Sequence, residues 1–257
     1  MFVIKGGSNV NNAREKDILE LLHKQSPSSV QQLATHLKMS EVTVRRDLVD
    51  MEQKGLLVRK RGWAFLPGLG IEPLFNQRMK QNSDLKQRIA AYAADQVCEG
   101  EVIALDIGTT VTELARELLR KNNVTVFTFS FQAANILSQS NVNLYLVGGN
   151  LRKTEMSLVG SITRDTIMKF HFDRFFMGMA GLSKDNGPTD FNLEEAEIKR
   201  AFLERSKHVV ALVDKTKIGV TSLVKICEFD EIDEIVTNED PNSMHEQIPF
   251  RGKWTFV

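Results

Sequence analysis

The chain is expected to fold as a winged helix-turn-helix domain over residues 1–66, a linker at 67–76, and an α/β domain with a parallel sheet over 77–257. Three observations carry this. Apolar residues at helical spacing over 30–37 are followed by a tight polar corner and a second amphipathic segment. A strand, a basic turn and a return strand follow over 56–66. Beyond a Pro- and Gly-rich break at 66–73, short Val- and Leu-rich strands alternate with amphipathic helices, the order of a parallel sheet.

In the N-terminal module a first helix, about 14–24, supplies Ile18, Leu21 and Leu22 to the core. In the second, Val30, Leu33, Ala34 and Leu37 share one face, and Ser28 or Ser29 can cap it. Lys38-Met39-Ser40 forms the corner, with Ser40 placed to cap a third helix whose inward stripe is Val44, Leu48 and Met51 and whose stop is Gly55. Glu41, Thr43, Arg45 and Arg46 are left near the outward N-terminal part, which in a recognition helix meets base edges and phosphates in a major groove. Arg59, Lys60 and Arg61 belong to the following strand and turn, the wing. Together with Ser40 these are the candidate DNA contacts. A helical hairpin with two arginines is also an ordinary solvated surface; the wing favours double-stranded DNA as partner.

Charge agrees. Residues 1–66 hold eleven Lys and Arg against seven Asp and Glu, although the 257-residue chain has a formal net charge of zero. The excess positive charge therefore sits in the small module. No apolar run approaches the roughly 20 residues that cross a bilayer, and the start lacks a secretory apolar stretch, so a cytoplasmic protein with no membrane partner is expected. Cys98 and Cys227 form no Cys-x-x-Cys pair and read as core thiols; the five histidines are scattered singly, so neither metal nor cofactor is expected.

In the larger domain Leu85, Ile89, Ala93 and Val97 mark a helix ending at Gly100. Strands are expected at 102–105, 124–128, 144–147, 174–179, 209–213 and 232–236, with helices at 111–120, 131–139, 161–169 and 194–206. Ligands of such sheets bind beyond the carboxyl ends of the strands. There, Asp106-Ile107-Gly108-Thr109-Thr110 opens a helix with free N–H groups and hydroxyls, the chemistry of a phosphate site or of a plain helix cap. Thr128 and Ser130 end the second strand, and Gly148 and Gly149 the third. Asp173 flanks the fourth strand and Lys217 follows the fifth; Glu195 and Lys199 lie i, i+4 on one helix.

These segments together resemble the DeoR family of bacterial transcriptional repressors of sugar metabolism. The likeness rests on Val30-x-x-Leu33-Ala34-x-x-Leu37-x-Met39-Ser40-x-x-Thr43-Val44-Arg45-Arg46-Asp47-Leu48 and Gly55-Leu56-Leu57-x-Arg59. It continues through Leu105-Asp106-x-Gly108-Thr109-Thr110, Gly148-Gly149, Ser157-x-x-Gly160, Asp173-x-x-Phe176-x-Gly178-x-x-Gly181, Asn192-x-Glu194-Glu195-Ala196-x-x-Lys199 and Asp214-x-Thr216-Lys217-x-Gly219. The resemblance implies a sensor domain with a ribose-5-phosphate isomerase-like parallel sheet that binds a phosphorylated sugar without converting it. It implies that Gly108, Thr109 and Thr110 hold the phosphate, that Asp106, Asp173, Glu195 and Lys199 meet the sugar, and that Lys217 adds a cation. A helix-turn-helix reading two half-sites implies a homodimer or homotetramer. Two positions depart from the family pattern: Lys60-Arg61-Gly62-Trp63-Ala64 replaces a His-Gly-Gly-Ala-like run, and Thr128-Phe129-Ser130 replaces Thr-Asn-Ser.

The expected function is thus a repressor of a carbohydrate-utilisation operon whose affinity for its operator is set by a sugar phosphate. The alternative is a sugar-phosphate isomerase or deaminase with a DNA-binding appendage, since carboxylates and a lysine near a phosphate site can move protons.

Overall fold

The computed structural model describes residues 8–25, 27–53, 56–65, 72–239 and 248–257. The Gly55 helix stop, the end of the return strand at Leu66 and the linker stretch 66–71 lie outside the described residues. The chain divides into two compact units, one ending at Gln81 and the other running from Asn82 to Val257. Among the described residues no helix is long and apolar enough to cross a membrane.

The first unit runs α1 (Ser8–Lys24), β1 (Ser28–Ser29), α2 (Val30–Leu37), α3 (Glu41–Gln53), β2 (Val58–Lys60), β3 (Trp63–Phe65) and α4 (Phe75–Lys80). Ser29 takes the cap of α2 in a full capping box, its hydroxyl accepting from Gln32 N–H while the Gln32 side chain accepts from Ser29 N–H. Lys38 then turns the chain at φ 52, and Ser40 Oγ accepts from Thr43 N–H to start α3. The expected stripe closes the core: Ile18, Leu22, Val30, Leu33, Val44, Leu48, Met51, Leu57 and Ala64 are buried together. β2 and β3 pair antiparallel around Arg61 and Gly62, whose φ values of 50 and 85 give the two-residue turn that suits the twist of a hairpin. Helix α4 belongs to this unit, and the Gln81 amide after it donates to the Glu52 carbonyl of α3. The unit boundary therefore falls later in the chain than residue 77.

The second unit opens with α5 (Ser83–Asp95), β4 (Val102–Leu105), α6 (Thr109–Glu117), β5 (Asn122–Thr128), α7 (Phe131–Leu137) and β6 (Asn141–Leu146). It continues with β7 (Asn150–Arg152), β8 (Ser157–Val159), α8 (Ser161–Ile167), β9 (Arg174–Met177), β10 (Gly181–Ser183) and β11 (Gly187–Asp190). Then come α9 (Leu193–Arg205), β12 (Val209–Val213), β13 (Val224–Lys225), β14 (Glu234–Thr237) and β15 (Lys253–Phe256). A seven-stranded sheet of order β15-β14-β12-β9-β4-β5-β6 is parallel throughout. Its strands alternate between two cores. Ile103, Leu105, Phe176, Val210 and Leu212 pack with α5, α6 and α7 on one face; Ala104, Phe175, Met177, Ala211 and Val213 pack with α9 on the other. Strand order reverses beside β4, where β5 lies on one side and β9 on the other, so the switch point, where sheets of this kind form their ligand crevice, lies beyond the carboxyl ends of β4 and β9.

The six expected strands are all present within a few residues. The β7–β8 hairpin, the small sheet β10-β11-β13 and β15 were not expected. Most are two to four residues long, and β11 is buried at every position, so neither length nor alternation announces them. Cys227 is the core thiol expected, its ionisation pushed up to about 12 by burial, but Cys98 is exposed, lying in the turn after α5.

Candidate functional site

The first unit presents α3 to solvent along one side. Glu41, Arg45 and Arg46 are exposed, and Thr43 is half-buried with its hydroxyl 2.8 Å from that of Ser40. Arg45 is steered by Glu41 one turn back, at 3.0 Å, a pair worth only a few tenths of a kcal/mol in water. Val42, which sequence reasoning passed over, is 77% exposed among these polar groups. Its signal is an apolar residue out of phase with the Val44, Leu48 and Met51 stripe.

The wing residues divide. Arg61 sits exposed at the hairpin tip. Arg59 instead lies against α3, its Nε 3.4 Å from Glu52 and its Nη1 3.5 Å from the Arg45 carbonyl, so it braces the hairpin on the helix. The backbone of Lys60 pairs with Trp63, while its side chain lies outside the described residues. Behind α3 a buried Asp47 meets Arg14 of α1 at 3.2 Å, a tie whose only sequence signal is an acid on an apolar face.

In the second unit the crevice gathers charge out of contact with water. Lys199 of α9, 2% exposed, reaches Asp106 Oδ2 at 2.6 Å and Asp190 Oδ2 at 2.7 Å, and donates to the Gly178 carbonyl at 2.8 Å. Gly178 N–H donates in turn to Asp106 Oδ2 at 2.8 Å. Burial raises the Asp106 carboxyl to about 6, although Lys199 opposes the shift. Burial would lower Lys199, but the two aspartates outweigh it and hold the ammonium protonated above its usual range. A lysine held in that way is a poor proton acceptor.

One turn earlier on α9, Glu195 is fully buried, its Oε1 accepting from Arg152 Nη1 at 2.8 Å and from Ser157 Oγ at 2.5 Å. Three residues past Asp106, α6 begins. Its first helical bond runs from Thr112 N–H to the Gly108 carbonyl, so the N–H groups before it have no intrahelical acceptor. Asp106 Oδ1 is buried with no hydrogen-bond partner among the described residues. Donors without acceptors and an acceptor without a donor thus meet at the end of β4, an arrangement suited to a polar anionic ligand.

Not every expected residue is here. Asp173 precedes β9 at the amino end of the sheet, opposite Asp106. It accepts from Val102 N–H and from Lys207, whose hydrogen bond holds the carboxyl below its usual range. Thr128 Oγ1 accepts from Ser130 N–H, and Ser130 Oγ caps α7 through Ala133 N–H. The Gly148 carbonyl accepts from Thr163, and a Cβ on Gly149 would stand 1.9 Å from the Thr163 hydroxyl, so Gly149 lets α8 approach, whereas a Cβ on Gly148 would meet nothing. Phe129 turns into the core against Phe202, ring centroids 5.9 Å apart. Lys217 lies half-buried on the turn Lys215–Lys217, which Asp214 caps. Asp190 and Arg152 were missed because each is a lone charge on a short strand whose partner is distant in sequence.

Comparison with known proteins agrees with this division. Residues 14–67 match the DeoR-like helix-turn-helix domain, and 81–239 match the DeoR C terminal sensor domain. The chain is 31% identical over 229 residues to the glycerol-3-phosphate regulon repressor of Escherichia coli K12, covering 89% of this chain and 91% of that protein. It is 34% identical to the HTH-type transcriptional repressor GlcR of Bacillus subtilis 168, covering 88% and 87%. It is 33% identical to the HTH-type transcriptional regulator GlpR of Haloferax volcanii, covering 88% and 89%. Among solved structures, ribose 5-phosphate isomerase A from Methanocaldococcus jannaschii is similar over 54% of this chain and 55% of that one, at 22% identity and a TM-score of 0.41. The chain belongs to the DeoR family and is a DNA-binding transcriptional regulator with a sensor domain, not an enzyme.

Proposed function

We propose that this regulator represses a carbohydrate-utilisation operon, acting in the cytoplasm as a homodimer or homotetramer, and that a phosphorylated sugar bound at the crevice changes its affinity for operator DNA. The observation that supports this best is the start of α6, where unpaired N–H groups and the Thr109 and Thr110 hydroxyls adjoin the unpartnered oxygen of Asp106. In this reading Gly108, Thr109 and Thr110 take the phosphate, Asp106, Glu195 and Lys199 face the sugar, and Lys217 adds a cation. Thr128, Ser130, Gly148 and Gly149 shape the wall by holding α7 and α8. On the DNA side Ser40, Glu41, Thr43, Arg45 and Arg46 of α3 meet the major groove, with Val42 suited to a thymine methyl, while Lys60 and Arg61 take phosphates and Arg59 keeps the hairpin in place.

A thermal-shift screen of phosphorylated sugars beside their unphosphorylated forms tests the reading. A ligand at 100 times its dissociation constant stabilises the fold by roughly 2.7 kcal/mol. Thr109→Glu places a carboxylate in the phosphate position, where it suits the helix dipole; the variant is expected to lose the shift and keep DNA binding. An equal shift from the unphosphorylated sugar, or an undiminished one in Thr109→Glu, moves the phosphate away from α6.

A further inference from the structure

Between α3 and the hairpin β2–β3 lies a cavity of about 310 Å³, walled by Arg45, Leu48, Val49, Arg59, Arg61 and Trp63. Its chemistry is uneven. Leu48 and Val49 give it an aliphatic side, three arginines line it, and Trp63 at one edge remains 41% exposed. Trp63 pairs with Ser29 on one side and Lys60 on the other, so its backbone is fixed while its ring has open space before it. An exposed tryptophan leaves a large apolar surface in water, which is costly unless a partner covers it. Among the described residues no acidic side chain lines the cavity; Glu41 and Glu52 engage Arg45 and Arg59, which leaves Arg61, exposed at the rim, to meet an anion with an apolar part. A DNA strand offers both at its edge, a phosphate beside a deoxyribose.

We propose that this cavity is a docking site for one sugar-phosphate unit of the operator backbone: Arg61 holds the phosphate and the Trp63 indole packs on the adjoining deoxyribose. The inference rests on the DNA-binding reading of α3 and goes beyond it by making Trp63 a positioning contact that is blind to base sequence. Neither Arg45 nor Arg59 contributes to the phosphate, since Glu41 holds the first guanidinium and Glu52 and the Arg45 carbonyl hold the second.

The probes are duplexes selected by the wild-type full-length protein from a random-sequence library, and a scrambled duplex of equal length. Trp63→Ala is expected to weaken binding to both by about tenfold. The slope of affinity against salt should stay unchanged, because the lost group is neutral, whereas Arg61→Ala should flatten it by about one unit. Trp63→Phe, which keeps a ring, should recover most of the loss and guards against a folding defect. In a Trp254→Phe background the remaining indole of Trp63 should become shielded from acrylamide when duplex is added. Unchanged affinity in Trp63→Ala, or a loss confined to one base position of the selected sequence, overturns the proposal while leaving α3 as the DNA reader. Failure of the wild-type protein to enrich any duplex overturns both.

Discussion

On α3, Arg45 and Arg46 stand in solvent, whereas in the crevice Lys199 is sealed between Asp106 and Asp190. The first arrangement leaves positive charge available to a polyanion and contributes almost nothing to stability. The second neutralises charge within the protein and ties β4, β11 and α9 together. One chain thus uses the same residue types for recognition where water screens them and for construction where it does not.

Removing a charge separates the two regimes most sharply. Lys199→Met leaves two carboxylates buried without their cation and is expected to cost about 3–5 kcal/mol of stability. Arg45→Met, breaking an exposed pair, should change stability by less than about 0.5 kcal/mol. Equal losses in urea unfolding would erase the contrast. The pH dependence sharpens it further. Because burial raises Asp106 from 3.8 to about 6, the folded state binds its proton more tightly than the unfolded chain does. Its contribution is therefore fully present below 3.8 and lost as pH rises through about 6. The stability of wild type relative to Asp106→Asn should fall across that window by up to about 3 kcal/mol. A difference that grows with rising pH breaks this account.

For recognition, Arg46→Ala is expected to leave the melting temperature intact and to cost about 1–3 kcal/mol of operator binding if the guanidinium meets a base. Operator titration by mobility shift, beside a melting curve, checks both halves. The smallest effect is local: Ser29→Ala removes one arm of the α2 capping box and should cost about 1 kcal/mol of stability. A melting curve indistinguishable from wild type would show that the Gln32 arm suffices.

Regions built by short-range rules were legible before the fold was known. The α2 cap, the Val44, Leu48 and Met51 stripe and the Arg61-Gly62 turn each depend on neighbours within a few residues, and each stands where the pattern put it. Glu195 and Lys199 were visible as an i, i+4 pair, yet neither bonds the other; each turns to a partner contributed by a remote strand. Asp190 meets Lys199 through β11, a strand buried throughout and four residues long, whose pattern differs from no buried loop. Asp173 misled for the complementary reason: a motif records which residues travel together, while the direction of β9 decides at which end of the sheet each one stands. Thr128 and Ser130 show the same limit, since a hydroxyl at a strand end serves a helix cap as well as a ligand.

Gly178 carries a mechanical consequence. A Cβ there would lie 2.9 Å from the Ile107 carbonyl, so the ends of β4 and β9 meet backbone to backbone, with Asp106 bonded across the seam. Side chains absorb small displacements by changing rotamer; bare peptide groups at this distance have no such slack. Any movement of the Ile107-Gly108 turn would therefore pass undamped to β9, and the seam is a rigid coupling where a layer of methyl groups would have made a cushion.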